Sequence, residues 1–324
     1  MRTTILGSGL STSALGLGCA GLAARGIAGA RSVRRYVARA VELGVTMLDT
    51  ADVYGAQLGE NERLVGRAIT RRSDIVVATK FGLRFGQQGA IRVDSSAEWA
   101  RQACHDSLQR LGTDYLDLYY LHRRNADIPI EETVSAMAEL VRRGDVRHIG
   151  LSEVNSQTVR SAHAIHPISV VQIEYSLLTR FAERELLGVC RQLNIGIAAY
   201  RPFGAGLLTG QFSTPSALRP SDYRRQSPRW SEDNLRMNLK LSERVRSIAE
   251  AAGCTPAQLA LAWLWSRDRD IVPISGTTKF KHLRDNVQAA QLTVPAELLA
   301  QLEDLDQYVL GDRYSAAQMK LLDL

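Results

Sequence analysis

The 324-residue chain has 45% hydrophobic, 23% charged and 6% aromatic residues, a composition typical of globular proteins that excludes a disordered or collagen-like chain. No apolar run reaches the ~18 residues of a membrane-spanning helix, and the first residues lack the order of a signal peptide, so we expect a cytoplasmic protein outside the membrane. The net charge is +6, but the arginines are spread along the whole chain, which argues against nucleic-acid binding.

Metal binding and disulfide bonding have little support. The cysteines are too far apart for a CxxC zinc pair, and we expect free, buried thiols at Cys19, Cys104, Cys190 and Cys254. His163 and His166 form an HxxH pattern without a nearby carboxylate, which is more typical of a helix end than of a metal site. We therefore predict no metal.

Short runs rich in Val, Ile, Leu and Tyr alternate with helical patterns of about a dozen residues, which predicts βαβ units and a parallel sheet. The predicted strands are Ala14–Gly18, Val45–Asp49, Ile75–Thr79, Leu116–Leu121, Val146–Leu151, Val170–Glu174, Ile195–Tyr200 and Ile271–Ser275. The predicted helices are Ser32–Leu43, Glu60–Arg72, Ser95–Leu111, Ile130–Arg143, Ser156–Ile165, Ala182–Leu193, Pro256–Arg267 and Phe280–Ala290. Eight units without a linker predict an α/β fold, a single (β/α)8 TIM barrel domain over residues 1–324.

Several segments lie outside the eight units. A hairpin is predicted from Arg2–Leu6, a Gly-Ser-Gly turn and the residues from Thr12 onward, closing the bottom of the barrel. A long polar loop, Gly204–Arg236, follows the seventh strand, where active-site loops occur in barrels. Two extra helices are predicted towards the C-terminus, at Asn238–Ala252 and Ala296–Val309.

Local signals support several helix ends. Ser95 and Glu98 have the spacing of a capping box, and Thr255 followed by Pro256 is a typical helix start. Glycines fit the chain reversals after helices at Gly44, Gly112, Gly144 and Gly253.

Residues 16–21 match the GxGxxG pattern of dinucleotide-binding folds. Gly16 and Gly18 fall inside the first predicted strand, however, and the next predicted helix begins only near Ser32. No helix N-terminus would then face a pyrophosphate, so we interpret the pattern as a closely packed strand and a flexible entry loop.

Titratable side chains stand at the ends of three successive strands: Asp49 and Tyr54 after the second, Lys80 after the third and His122 after the fourth. Strand C-termini converge at one mouth of a barrel, where active sites occur. We expect the Lys80 ammonium to lower the pKa of the Tyr54 hydroxyl, with Asp49 as counter-charge. Neutral His122 would donate a hydrogen bond to a substrate oxygen. The set therefore predicts a general acid directed at a carbonyl oxygen.

A lysine at the end of a barrel strand is also compatible with other functions. Lys80 could be the nucleophile of a Schiff-base lyase, although a lysine paired with Asp49 stays protonated and is then a poor nucleophile. A non-catalytic cofactor-binding redox sensor is a second alternative.

The segments LDTADVYG, VVATKFG and YYLHR resemble the catalytic tetrad of the aldo-keto reductases. The similarity continues through VRHIGLSE, VVQIEYSLLTR, AAYRPFGAGLLTG and IVPISGTTKFKHLRDN, and it is strongest to the branch with pyridoxal-reductase-like and perakine-reductase-like enzymes. The resemblance implies an oxidoreductase that uses NADPH to reduce an aldehyde or ketone to an alcohol. Tyr54 would be the general acid, tuned by Lys80 and Asp49, and His122 would orient the carbonyl.

The resemblance also implies the cofactor site. Ser152 and Gln172 would hold the nicotinamide carboxamide, Tyr200 would stack on its ring, and Pro202 and Phe203 would lie on the pyrophosphate side. Contacts with the adenine end and the 2'-phosphate would come from Gly276, Thr277, Thr278, Lys279, His282, Asp285 and Asn286.

The chain departs from the family pattern at several positions. His282 stands where Arg is frequent, and a neutral His cannot make Arg's bidentate phosphate contact, which leaves NADH as an alternative to NADPH. Glu153 stands where many members have Asn. Arg201 replaces a usual Ser, and Gln211 stands where Lys is common, so we predict that Arg201 supplies a cation near the pyrophosphate.

The substrate is predicted to be a small carbonyl compound. In this fold, loops form the pocket walls, here Ala20–Arg31, Phe81–Gly89, Arg123–Asp127 and Gly204–Arg236. They carry few aromatic residues (Phe85, Tyr223 and Trp230) and many arginines: Arg25, Arg84, Arg123, Arg124, Arg219, Arg224, Arg225 and Arg229. An anionic or polyhydroxylated substrate would suit this lining. The plainer interpretation, which we favour, is that an Arg-rich chain carries Arg on every exposed loop.

Overall fold

The computed structural model describes residues 1–24, 29–69, 72–85, 91–212, 214, 218, 222–268 and 270–324. Eight parallel strands close into a barrel and follow one another around it in chain order. They are β3 (Gly16–Gly18), β4 (Met47–Asp49), β5 (Val76–Phe81), β8 (Leu116–Leu121), β9 (Val146–Ser152), β10 (Val170–Glu174), β11 (Gly196–Tyr200) and β12 (Ile271–Ser275). The prediction of a (β/α)8 barrel is confirmed.

Helices flank the strands. They are α1 (Ala20–Ala24), α2 (Ala30–Glu42), α3 (Glu60–Ala68), α4 (Ala97–Leu111), α5 (Ile130–Arg143), α6 (Ser156–Ile165), α7 (Leu186–Gln192), α8 (Glu232–Ala251), α9 (Pro256–Arg267), α10 (Phe280–Gln288), α11 (Ala296–Ala300) and α12 (Ala316–Met319). The apolar faces of these helices and the outward side chains of the strands share one large buried core, the arrangement that shields both faces of a parallel sheet. Within the described residues, none of the helices is both long and apolar enough to cross a membrane.

The predicted N-terminal hairpin is present as β1 (Thr3–Leu6) and β2 (Leu10–Ser13), which pair antiparallel. Leu6 and Leu10 are buried together with Met47 and Val170 of the barrel interior. The hairpin therefore closes the end of the barrel at which the strands begin, and this leaves their carboxyl ends as the open mouth.

A second hairpin, which the sequence analysis did not predict, follows β5. It consists of β6 (Leu83–Phe85) and β7 (Ile91–Val93). Its short strands are half-buried to exposed and lack the long apolar alternation that identifies a strand from sequence.

Two helix predictions near the C-terminus were wrong. Helix α8 begins at Glu232, not at Asn238, because Glu232 and Asp233 form an acidic first turn that suits the helix dipole but carries no apolar periodicity. The last predicted helix, Ala296–Val309, consists of α11 and a separate 3-10 turn at Leu305–Tyr308. Arg244 lies at the break, where it donates to the carbonyl of Gln301 and pairs with Asp304.

The capping predictions had mixed outcomes. Ser96, not Ser95, caps α4 and accepts a hydrogen bond from the backbone of Trp99, whereas the Ser95 hydroxyl accepts from the Asn125 backbone. Thr255 caps α9 as predicted, in a full capping box with Gln258. The four glycines predicted at chain reversals all have positive φ.

The GxGxxG segment is a closely packed strand, as predicted. A Cβ atom on Gly16 would lie only 2.5 Å from Cδ1 of Ile274, so a larger residue there would require the Ile274 side chain to shift. The expectation that the next helix begins only near Ser32 was wrong, because α1 begins at Ala20, directly after the strand. Residues 25–28 of the predicted entry loop lie outside the described residues.

Cys19, Cys104 and Cys190 are buried free thiols, as expected, while Cys254 is only half-buried. His163 and His166 lie at the end of α6, where the His163 ring accepts a hydrogen bond from the Ile168 backbone. In the part of the chain that the structure describes, no cluster of His, Cys, Asp and Glu could hold a metal ion.

Candidate active site

A cleft of about 820 Å³ opens at the carboxyl ends of the barrel strands. It is lined by Asp49, Tyr54 and His122 and by all residues predicted to bind a cofactor: Ser152, Gln172, Tyr200, Arg201, Pro202, Phe203, Gly276, Thr277, Thr278, Lys279, His282, Asp285 and Asn286. Lys80 lies beneath the cleft and is fully buried. The structure thus brings the predicted catalytic and cofactor residues into one site.

The predicted catalytic residues are close together. Lys80 Nζ donates to Asp49 Oδ1 at 2.7 Å and to the carbonyl of Thr50 at 2.6 Å. The same Nζ lies 5.1 Å from the centre of the Tyr54 ring, and the rings of Tyr54 and His122 meet edge to face at 5.9 Å. A phenolic hydroxyl, a buried ion pair and an imidazole therefore share one end of the cleft.

The loop that carries Tyr54 is fixed by Asn61, a fully buried residue that the sequence analysis missed. The Asn61 backbone N–H donates to the Tyr54 carbonyl at 3.1 Å. Its side chain donates to the Cys19 carbonyl and accepts from the Thr50 hydroxyl. Since Asn61 bonds to both ends of the segment from Thr50 to Tyr54 and also to Cys19, it holds the Tyr54 loop in place.

Burial determines the protonation states in the site. The charge of Lys80 lowers the pKa of Tyr54, as expected, but burial raises it by more, so the pKa of Tyr54 lies above its ordinary value. Burial alone would lower the pKa of Lys80, but the charge of Asp49 and its hydrogen bond raise it. Burial and the charges of Arg123 and Lys80 hold the pKa of His122 well below its ordinary value. Near neutral pH, Tyr54 is therefore protonated, Lys80 is charged and His122 is neutral.

Gln172 connects this group to the predicted carboxamide site. Its side-chain amide donates to Asp49 Oδ2 at 2.8 Å, so the two Asp49 oxygens are bonded to different partners. Gln172 is buried near the end of β10. Ser152, the other predicted carboxamide residue, accepts a hydrogen bond from Arg123 at 3.3 Å.

Two buried carboxylates, Glu153 and Glu174, organise the wall around Tyr200. Arg313 forms an ion pair with both, and its hydrogen bonds and charge lower the pKa of Glu153 although burial acts in the opposite direction. The Tyr200 hydroxyl donates to Glu153 at 2.6 Å, and Arg201 pairs with Glu174 at 3.2 Å. Tyr200 is therefore held by its hydroxyl while it lines the cleft.

Arg313 and Tyr314 were not found by sequence reasoning, because they lie in the C-terminal tail (residues 310–324), which carries no motif or strong periodicity. Tyr314 lines the cleft and shares a hydrogen bond of 2.8 Å with the Tyr200 hydroxyl. The tail is anchored further on, where the Asp323 carboxylate bonds to Arg124 and Thr158. A distant segment thus completes the rim of the mouth.

The far end of the cleft is basic. Among the described residues, Lys279 has no carboxylate partner, whereas Lys281 pairs with Asp285 at 3.0 Å. Burial and the charges of Lys279 and Lys281 lower the pKa of His282, so its ring is neutral near neutral pH.

Most of the arginines predicted in the pocket walls are already engaged. Arg84, Arg124, Arg224 and Arg229 form ion pairs, and Arg225 bonds to a backbone carbonyl. The described part of the β6–β7 hairpin is not among the residues that line the cleft. Arg25 and Arg219 lie outside the described residues.

Comparison with known proteins agrees with this geometry. The sequence model of the Aldo/keto reductase family matches residues 14–307. Aldo-keto reductase AKR11C1 from Bacillus halodurans, in its holo form, is 29% identical with a TM-score of 0.78, and the match covers 98% of this chain and 99% of that one. The thermostable aldo-keto reductase Tm1743, solved with the inhibitor epalrestat, is 29% identical with a TM-score of 0.74, and the match covers 94% and 100% of the two chains. Glycerol dehydrogenase AKR11B4 from Gluconobacter oxydans shares the fold with a TM-score of 0.85 at 24% identity, over 95% and 96% of the chains.

Proposed function

Because the chain belongs to the aldo/keto reductase family, whose members generally bind a nicotinamide cofactor and act on carbonyl compounds, we propose that it is an NADPH-dependent reductase of aldehydes or ketones. We propose further that residues 1–324 form one domain and that the enzyme is cytoplasmic. The observation that carries the proposal is the fully buried Lys80–Asp49 ion pair beside Tyr54 and His122 in one cleft.

The cleft fits a nicotinamide dinucleotide. Its volume of about 820 Å³ lies within the range of cofactor sites, about 300–1,000 Å³. Ser152 and Gln172 offer polar groups to a carboxamide, and Tyr200 offers a ring face anchored through its hydroxyl. Lys279 at the opposite end is a cation available to a phosphate. When bound, the nicotinamide supplies a hydride to the carbonyl carbon.

Residues of the chain itself would bind the carbonyl oxygen and supply its proton. His122 is neutral and lines the cleft, so an N–H group of its ring can donate a hydrogen bond to the carbonyl oxygen. Tyr54 holds the proton that this oxygen needs as negative charge develops. Lys80 stays charged and stabilises the tyrosinate that remains after the transfer, while Asp49 fixes the ammonium.

The Schiff-base alternative is disfavoured by the same geometry. A nucleophilic lysine must lose its proton, but Asp49 raises the pKa of Lys80. The Lys80 nitrogen also donates a hydrogen bond to the Thr50 carbonyl. This bond holds the nitrogen in place and hinders its attack on a substrate carbonyl carbon.

The experiment that tests the proposal is titration of the protein with NADPH and with NADH, followed by tryptophan fluorescence. Turnover of an aldehyde panel is then recorded at the nicotinamide absorbance. Tyr54→Phe should bind NADPH normally but lose about 100-fold or more in kcat, because it deletes the proton donor. Tyr308→Phe, an exposed site at 57%, is the matched control and should retain full activity. Equal loss of cofactor affinity and rate in Tyr54→Phe would contradict the assigned role.

A further inference from the structure

Arg123 is a charged side chain of the cleft that has no ion-pair partner among the described residues. It directly follows His122 and is only 9% exposed. A single nitrogen, Nη1, makes both of its hydrogen bonds, to the carbonyl of His122 at 2.6 Å and to Ser152 at 3.3 Å. Its Nε and Nη2 make none with the described part of the chain. Arg123 lines the cleft and neither nitrogen is among the fully buried unpaired atoms, so these donors are open to the cleft and available to a ligand.

The neighbouring arginines do not share this feature. Arg201 and Arg229 both pair with Glu174, and Arg313 pairs with Glu153 and Glu174. Three guanidiniums thus already surround two carboxylates. Arg123 is left without a carboxylate partner among the described residues, and a guanidinium stays charged at any physiological pH. A buried, unpaired charge is costly, and an anion entering the cleft would remove that cost.

The position of Arg123 indicates which molecule brings the anion. Arg123 follows the end of β8, whereas the residues predicted at the 2'-phosphate and at the pyrophosphate follow β12 and β11, which lie four and three strands away around the eight-stranded ring. Arg123 lines the same part of the cleft as Tyr54 and His122 and acts electrostatically on both. A negative group at Arg123 would therefore belong to the substrate and not to the cofactor phosphates.

We propose that Arg123 binds an oxyanion of the substrate, a carboxylate or a phosphate held close to the carbonyl group that Tyr54 and His122 receive. This inference rests on the proposed reductase function and specifies its substrate class. A planar guanidinium with free Nε and Nη2 groups offers the side-on, two-point contact that suits either oxyanion. Arg123 is thus assigned as a specificity-determining residue.

The kinetic test compares charged and neutral carbonyl compounds of similar size. The pairs are 4-oxobutanoate with butanal, for a carboxylate, and glyceraldehyde 3-phosphate with glyceraldehyde, for a phosphate. Wild-type protein should prefer the charged member of at least one pair by about tenfold or more in kcat/KM, and Arg123→Met should abolish that preference by lowering kcat/KM about tenfold more for the charged member than for the neutral one. The pair that responds identifies the oxyanion.

Controls separate charge recognition from structural support. Arg124→Met removes the same charge one residue later, from a side chain that pairs with Asp323 and does not line the cleft, and should keep the preference. Arg123→Lys should keep part of it. Because Arg123 has two hydrogen bonds but no ion pair to lose, Arg123→Met should lower the unfolding temperature less than Arg313→Met does. Equal losses with charged and neutral substrates would mean that Arg123 only positions His122 and Ser152, and would overturn the proposal.

A binding measurement is independent of turnover. Succinate and inorganic phosphate, which carry no reducible aldehyde or ketone, are titrated into the protein with and without NADPH and followed by calorimetry. Binding of either anion to wild type but not to Arg123→Met supports the anion site even if no carbonyl compound is reduced, in which case the reductase function fails alone. Binding of neither anion to wild type, or equal binding to the variant, overturns the proposal.

Discussion

Gln172 and Asp49 are joined by a hydrogen bond of 2.8 Å although they lie 123 positions apart in the chain. The Gln172 amide, assigned to the carboxamide of the nicotinamide, therefore also holds the carboxylate that fixes Lys80. If the proposed cofactor site is correct, one side chain serves both cofactor recognition and the positioning of the ion pair beside the proton donor.

We expect Gln172→Leu to lower both NADPH affinity and kcat, because it leaves a buried Asp49 oxygen without a donor. The loss in kcat at saturating NADPH should be about tenfold. Gln102→Leu removes a comparable amide–carboxylate bond on an exposed helix surface and serves as the control. If the Gln172 variant loses only cofactor affinity, Asp49 does not depend on this bond.

The pH dependence of reduction follows from the two groups that face the carbonyl. Burial raises the pKa of Tyr54 above its ordinary value, so the acid stays protonated as the pH rises. Burial and neighbouring cations lower the pKa of His122, so the imidazole stays neutral as the pH falls. We therefore expect kcat/KM with a neutral aldehyde to be flat from about pH 6 to about pH 9. A decline centred near pH 8 would show that the Tyr54 pKa is lowered instead.

Arg313 should be important for stability. Arg313→Met leaves Glu153 buried without its ion-pair partner and Glu174 with one pair fewer, which should reduce the free energy of unfolding by about 3–5 kcal/mol. Arg39→Met breaks an exposed pair with Glu42 and should cost under about 1 kcal/mol. Urea unfolding of both variants measures the difference. Similar values for the two would show that the buried cluster contributes no more than a surface pair.

Cofactor preference provides another prediction. His282 lines the cleft with a lowered pKa and is neutral near pH 7. His282→Arg adds a permanent cation beside Lys279 and should tighten NADPH binding by about tenfold while leaving NADH nearly unchanged. Lys279→Met should have the opposite effect. Separate dissociation constants for the two cofactors decide this, and equal shifts for both would place these residues away from the 2'-phosphate.

The barrel and the grouping of Asp49, Tyr54, Lys80 and His122 could be predicted from sequence because strand C-termini in a parallel barrel always converge. The strand that each residue follows was therefore sufficient to predict that the four side chains lie close together. The motifs also located the predicted cofactor residues along one cleft.

Other features depend on contacts that no local pattern records. The pKa of Tyr54 is dominated by burial, which is a property of the assembled site and not of the spacing between Tyr54 and Lys80. The Glu153–Arg313 pair joins residues 160 positions apart. The start of α8 was missed because its first turn is polar, a start favoured by charge and not by apolar periodicity.

The C-terminal tail has a consequence for how such enzymes can diversify. It places Tyr314 at the rim and Arg313 in the buried cluster with Glu153 and Glu174, and Asp323 fastens it to Arg124 and Thr158. None of these contacts requires a change in a barrel strand. Exchange of this segment between homologous proteins, with Arg313 and the Asp323 anchor retained, would therefore reshape the entrance around Tyr314 while the proton donor and its ion pair stay unchanged, which makes the tail a suitable place to introduce new selectivity.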